Sequence, residues 1–300
     1  MAKADVITLD LNYQGMKQAI AAFLIKYNDG AILIECGPGS TLPGLQTGLA
    51  SHGLTLADVT HVLLTHIHLD HAGAAGHLAR QGAQIFVHPV GEPHMVNPER
   101  LLASAGRIYG DMMDTLWGEF LPVPEDKLTV IEDGEEVVIG NLRFLPINTP
   151  GHAEHHYAYL FEDICFSGDV GGVRIPGFPY LRVPMPPPEL NLERWRGSIH
   201  RLQKFDLKRI APTHFGIFDN PEWQLSEMLR GLDKAFQWLE DVMVDAPSIE
   251  VLREMFADYI ENQGRAAGLS EDVIRSYRLA NPLYMSADGL YRYWKKFQAG

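Results

Sequence analysis

Short blocks of apolar residues, separated by turn chemistry, fill the first two thirds of the chain and predict a series of strands interleaved with helices. Residues 6–11 and 21–26 read as strands, Tyr27-Asn28-Asp29-Gly30 as a hairpin turn, and 31–35 as the buried strand returning from it. A helix over 42–52 leads to a short buried strand at Val62-Leu63-Leu64. Small, helix-tolerant residues follow over 72–80, then another short strand over 84–88. Between 90 and 124, residues such as Met95, Leu102, Tyr109, Met113, Leu116 and Trp117 recur at helical spacing. That insertion is either an amphipathic helix packed on the core or a helical cap walling a cleft. Asp133-Gly134 and Gly140-Asn141 punctuate a β-meander through Leu145 and Ile147. A hairpin over 157–161 and 164–166 turns at Glu162-Asp163, and a helix over 192–204 and a strand over 209–211 close the pattern. The chain thus runs twice through strands, a polar loop and a helix, which fits an α/β sandwich of four layers, αββα, over 1–219. From residue 220 the period changes. Leu225, Met228, Leu232, Phe236 and Leu239 fall at helical spacing, and further helical stretches begin at Ile249 and Glu271. Residues 220–300 are expected to form an α-helical C-terminal extension, with Tyr291, Tyr293, Trp294 and Phe297 burying against the domain.

Composition changes this picture little. Three hundred residues suffice for one large core with an appendage, and 46% hydrophobic with 21% charged residues is ordinary for a soluble globular protein. No apolar run approaches the ~20 residues that cross a bilayer. Met1-Ala2-Lys3-Ala4-Asp5 lacks the apolar core of an export signal, so a cytoplasmic location is expected. The formal net charge of −13, with no Lys/Arg cluster, argues against nucleic acid as a partner. A small-molecule substrate is expected, with a homo-oligomer left open and no membrane partner. Cys36 and Cys165 sit in apolar contexts and are expected to be buried, reduced thiols.

The chemistry concentrates in Thr65-His66-Ile67-His68-Leu69-Asp70-His71. Three imidazoles and a carboxylate in six residues make poor core and an expensive loop unless something binds them, and they are ligand types that zinc, iron and manganese accept. The cluster follows a buried strand and precedes a helix, where a rigid scaffold can aim several side chains at one point. Downstream come Thr149-Pro150-Gly151-His152, Phe166-Ser167-Gly168-Asp169 and Pro212-Thr213-His214.

These four motifs, in this order, resemble the ligand motifs of the metallo-β-lactamase superfamily, and in layout the chain is most similar to its glyoxalase II-like and lactonase-like members. The resemblance implies the αββα metallo-β-lactamase sandwich and two divalent metal ions, zinc first, with iron or manganese as alternatives. It assigns His66, His68 and His152 to one ion, Asp70, His71 and His214 to the other, and Asp169 as the bridge. Nitrogen and oxygen ligands that leave a position for water mark a catalytic site, whereas structural zinc more often uses cysteine. Two cations about 3.5–4 Å apart lower the pKa of a shared water toward ~7. The resulting bridging hydroxide attacks a carbonyl or phosphorus centre while the metals stabilise the oxyanion. Asp70 would also orient the hydroxide and carry a proton to the leaving group.

The expected function is therefore a binuclear metal-dependent hydrolase of a small ester-like substrate: a thioester, lactone or other ester. Phosphoester or phosphotriester hydrolysis is chemically close. A second enzyme class is a mononuclear iron oxygenase resembling persulfide dioxygenases, which would use His66, His152 and Asp169 alone.

Two departures from the family pattern and one loop carry expectations of their own. His155 stands where relatives have glycine before the last histidine of the second motif; it either reaches substrate or is an exposed residue at a strand start. Glu35 stands where relatives often carry Asp behind the metals, and whether its longer side chain does the same job is open. The Gly/Pro-rich loop 171–190 is expected to contact substrate through Tyr180 and Arg182 rather than merely brace the fold. His88 and His94 belong to no cluster and are expected to be ordinary loop histidines.

Overall fold

The computed structural model describes residues 4–297. Met1 to Lys3, part of the segment read above for an export signal, lie outside the described residues.

Two sheets face each other. The first holds β1 (Val6–Asp10), β2 (Ala21–Tyr27), β3 (Gly30–Ile34), β4 (Val59–Leu63), β5 (Gln84–Val87) and β6 (Leu128–Val130), in that spatial order. β1 to β3 form an antiparallel meander, and β4 to β6 join in parallel. The second is built from β7 (Val137–Ile139), β8 (Leu142–Asn148), β9 (Tyr157–Phe161), β10 (Ile164–Phe166) and β11 (Arg209–Ala211). Its first four strands are antiparallel, and β11 adds in parallel to β10.

Strand periodicity explains the layering. Along β2, Phe23 and Ile25 point between the sheets, whereas Ala22 and Leu24 point to the outer face. Phe23 meets Phe166 of the opposite sheet at 5.2 Å between ring centroids. On the outside of the first sheet, α1 (Leu42–Ala50) and α3 (Ala75–Arg80) cover Leu33 and Val62 through Leu45, Leu49 and Leu78. Outside the second, α7 (Leu192–Leu202) and α8 (Pro221–Met243) cover Cys165 and Ile210 through Trp195, Ile199 and Leu232. Both strand faces are apolar because both are buried. Both cysteines are buried and free.

Two expected helices are broken, each for a local reason. The helix after the histidine cluster begins earlier, as the single turn α2 (Leu69–Ala72), and stops before α3. Gly73 there lies against backbone: a Cβ would come within 2.7 Å of the Pro38 Cα. The Ala74 N–H leaves the helix and bonds the Gly37 carbonyl at 2.9 Å. The 90–124 insertion is three short helices, α4 (Glu92–Val96), α5 (Glu99–Tyr109) and α6 (Met113–Trp117). Extended Asn97 before Pro98 ends α4, and left-handed Gly110 (φ 51°) ends α5. The half-exposed β6 carries little apolar pattern, and the sequence does not predict it.

The C-terminal extension is helical: α8, then α9 (Ile249–Ala266), α10 (Glu271–Ala280) and α11 (Leu283–Phe297). Its own charge pair ties α9 to α11, Arg253 reaching both carboxylate oxygens of Asp288 at 2.6 and 2.7 Å. Tyr293 is buried and donates to the Glu193 carboxylate of α7 at 2.6 Å. At Gly289, α11 sits against the 171–190 loop so closely that a Cβ would lie 2.0 Å from the Met185 carbonyl oxygen. Among the described residues no helix is long and apolar enough to cross a membrane.

Candidate metal centre

Each motif histidine leaves a strand end or turn on the same edge of the sandwich. His66 and His68 follow β4, Asp70 and His71 lie on α2, His152 follows β8, Asp169 follows β10 and His214 follows β11. Their ligand atoms form two groups. The nitrogens of His66, His68 and His152 lie together, as do those of His71 and His214 with an oxygen of Asp70.

Hydrogen bonds fix which nitrogen faces inward. His152 and His214 donate through Nδ1 to the carbonyls of Pro184 (2.9 Å) and Ala19 (2.7 Å). His71 Nδ1 donates to Glu35 Oε1 at 3.0 Å. The Thr65 hydroxyl gives its hydrogen to Glu35, so at 3.0 Å it accepts from His66 Nδ1. In all four rings Nε2 is therefore the atom aimed into the site and offered to a cation. His66 Nε2 and His152 Nε2 each stand 3.0 Å from His68 Nδ1. Three nitrogen lone pairs converging in a buried space repel one another unless a cation or proton lies between them. His71 Nε2 and Asp169 Oδ1 are buried with no hydrogen-bond partner. The donor set and these orphaned atoms fit metal ions.

Asp169 stands between the groups. Its Oδ2 is 3.3 Å from His152 Nε2, and its Oδ1 is 3.3 Å from His71 Nε2 and 3.4 Å from His214 Nε2. Asp70 Oδ2 faces His214 Nε2 at 3.3 Å and His71 Nε2 at 3.6 Å.

The two groups differ electrostatically. Burial and the surrounding imidazoles hold His66 well below the usual histidine range and bring His68 down to about 4. Burial leads in lowering His152. Burial also opposes charge on His71 and His214, but Asp70 and Asp169 outweigh it and raise both. Burial pushes Asp169 upward, yet His214, His71 and His152 outweigh it and hold the carboxyl well below its usual range.

Glu35 supports the site from behind. Fully buried and left-handed (φ 66°), it also accepts from Thr213 Oγ1 at 3.2 Å. Although its oxygen lies near ring nitrogens of His66 and His71, three donors already occupy it, which makes it a support for the ligands.

A cavity of about 350 Å³ opens onto Asp70, Asp169 and His214. Helices α5 and α6, the Pro184 to Glu189 part of the loop, and the α10–α11 corner wall it. The 90–124 insertion thus lines the cleft as well as packing on the core. His155 lines it too: nine-tenths buried, it accepts from the Ile67 N–H at 3.4 Å and faces the Glu189 carboxylate at 3.6 Å. Tyr180 and Arg182 are not brought there. Both line a smaller, separate cavity against α9, and Arg182 lies over the Tyr277 ring at 5.2 Å. Val183 and Met185 line that smaller cavity with them, whereas Pro184 and Pro186 to Glu189 line the larger one beside the candidate ligands. His88 is packed on Tyr157, whereas His94 does line the cleft.

The cap reading of the insertion included Tyr109 and Trp117, but sequence reasoning missed Tyr13, another aromatic residue of this wall. Tyr13, held between left-handed Asn12 and Gln14, stacks on Trp117 at 5.9 Å, and Trp117 meets Tyr109 edge-on at 5.0 Å. Nothing in the local sequence around Tyr13 marks it as a cleft residue.

Known proteins are similar to this chain in sequence and in fold. The profile of the metallo-beta-lactamase superfamily matches residues 17–214. "Metallo-beta-lactamase fold-containing protein ST1585" of Sulfurisphaera tokodaii is 27% identical over 193 residues, covering 62% of this chain and 72% of its own. "Probable metallo-hydrolase YqjP" of Bacillus subtilis is 24% identical over 320 residues, covering 95% and 98%. Shorter matches include a hydroxyacylglutathione hydrolase of Xylella fastidiosa, 32% identical over 49% of this chain and 43% of its own. Among solved structures, the metallo-beta-lactamase family protein TTHA1429 from Thermus thermophilus superposes with a TM-score of 0.72 at 19% identity, over 99% of this chain and 94% of its own.

Proposed function

Because the chain belongs to the metallo-β-lactamase superfamily, we propose that it is a binuclear metal-dependent hydrolase of a small ester-like substrate: a thioester, lactone or other ester. The observation that carries this reading is Asp169, which turns one oxygen toward His152 and the other toward His71 and His214. His66, His68 and His152 would hold one ion, Asp70, His71 and His214 the other, and Asp169 both. Bound there, the ions supply a readily deprotonated water and a positive pole for the acyl oxygen.

The chain's own residues do the rest. Glu35, Thr65, Ala19 and Pro184 fix the histidine orientations, so the ligand geometry exists before substrate arrives. Asp70, at the cavity floor and about one-fifth exposed, takes the proton of the attacking water. The water oxygen adds to the acyl carbon, the C–O or C–S bond breaks, and Asp70 returns the proton to the departing alcohol or thiol. The water's second proton passes to solvent as the product acid ionises, leaving the free carboxylate. Apolar walls keep bulk water from the reacting carbon. Names of relatives that include a metallo-hydrolase and hydroxyacylglutathione hydrolases support the hydrolytic class.

The test is elemental mass spectrometry on protein purified without added metal, together with an ester, thioester and lactone panel. Two ions per chain with hydrolysis is the expected result. One iron per chain with oxygen uptake on a persulfide would overturn the reading.

A further inference from the structure

The walls of the cleft say what kind of acyl group it takes. From the cap come Leu101, Ile108 and Leu116, with Trp117 and Tyr109 beside them. Pro184 and Pro186 to Pro188 supply a stiff apolar face opposite, and Leu279, Pro282 and Met285 close the third side. The Tyr109 hydroxyl meets the Met285 sulfur at 2.8 Å, so the cap and the C-terminal helices touch across the cleft.

Cationic groups that could hold a phosphate or a second carboxylate are poorly placed. Arg100 and Arg278 are the arginines at the cavity; both are exposed, and Arg278 is already paired with Glu261. Glu189 adds negative charge to the wall. A polyanionic substrate would have to desolvate against a largely apolar wall that, among the described residues, offers no buried arginine or lysine to pair with it. An apolar group is favoured there instead.

Resting on the hydrolase reading above, we propose that the substrate's acyl part is an apolar chain or aromatic group, lying between the α5–α6 cap and the α10–α11 corner with its carboxyl carbon toward Asp70. At roughly 30 Å³ for each water-sized group, the cavity holds about a dozen non-hydrogen atoms. That size fits an octanoyl or phenylalkanoyl group.

Hydrolysis rates and binding are measured separately on metal-loaded protein. In a series of 4-nitrophenyl esters from acetate to octanoate, kcat/KM rises about three- to fourfold per methylene until the cavity is full. Ile108→Trp, which narrows the cleft at a half-buried position, lowers the octanoate-to-acetate ratio at least about tenfold. Nonspecific affinity for greasy esters would leave that ratio unmoved, and overturns the proposal. Calorimetry with the free carboxylates reads the cleft without turnover: octanoate binds at least about thirtyfold tighter than acetate, and Leu279→Asn reduces the difference. If no ester is cleaved while octanoate still binds this way, the hydrolase reading fails and the apolar cleft stands. Equal binding of acetate and octanoate, or a flat rate across the series, sinks the proposal itself.

Discussion

Glu35 Oε1 and His71 Nδ1 are 3.0 Å apart in a fully buried pair, and this contact sets the direction in which His71 presents Nε2. The same carboxylate receives the Thr65 and Thr213 hydroxyls. One side chain, in left-handed backbone, therefore joins the first ligand motif to the last. A glutamate does here what a shorter aspartate would have to do from nearer backbone.

Glu35→Gln keeps the size of the side chain and removes its charge. The affinity of the Asp70, His71 and His214 group for zinc should fall roughly 10- to 100-fold, the usual effect of losing a hydrogen-bonding partner behind a ligand. Competition against a chromophoric chelator measures it. Two sites of unaltered affinity would show that Glu35 only packs.

Asp169→Ala removes the oxygens that face both groups. Metal content should drop below two ions per chain, and ester turnover should fall by at least about a hundredfold. Full turnover in this variant would remove the bridging assignment.

Protons and metal compete differently at the two groups. In the metal-free fold His71 and His214 are raised, so each tends to carry a proton that an incoming cation must displace. His66, His68 and His152 are lowered, so protons compete less for their nitrogens. On acidification from about pH 8 to about pH 5.5, the ion at Asp70, His71 and His214 should therefore be lost first. Elemental analysis after dialysis at stepped pH reads the order. Simultaneous loss, or loss from the other group first, contradicts it.

Gly151→Ala tests the turn before His152. Gly151 has φ 141°, and a Cβ there would lie 2.4 Å from the Trp195 Cα, an atom of α7 that cannot yield cheaply. Stability should fall by about 1–3 kcal/mol, with His152 displaced and zinc held less tightly. Thermal melts with and without metal check both parts; an unchanged Tm would mean the helix moves aside freely.

The clustering of the candidate ligand residues was legible in the sequence because every one of them belongs to a short motif at a fixed distance from an apolar strand. His66, Asp70 and His71 are placed by β4 and the turn that follows it, and Asp169 by β10 and Gly168. Strand positions were legible for a similar reason: apolar side chains must alternate between, or fill, two buried faces. Breaks in helices were less so. Gly73 and Gly110 are easy to see, but only the fold shows that Pro38 backbone packs against Gly73 and that the Ala74 N–H turns to the Gly37 carbonyl.

What the sequence determined by itself is local: the strands, the candidate ligand types and the order of the motifs, all fixed by neighbours within a few residues. Tertiary structure alone decided which face each loop presents. It set Tyr180 and Arg182 against α9, away from the clustered histidines and aspartates, and drew Tyr13, Trp117 and Met285 together from distant parts of the chain. It also turned Glu35 onto Thr65, His71 and Thr213. Those outcomes depend on how the helices pack over the sheet edges, a sum of many long-range contacts that leaves no mark at any one position.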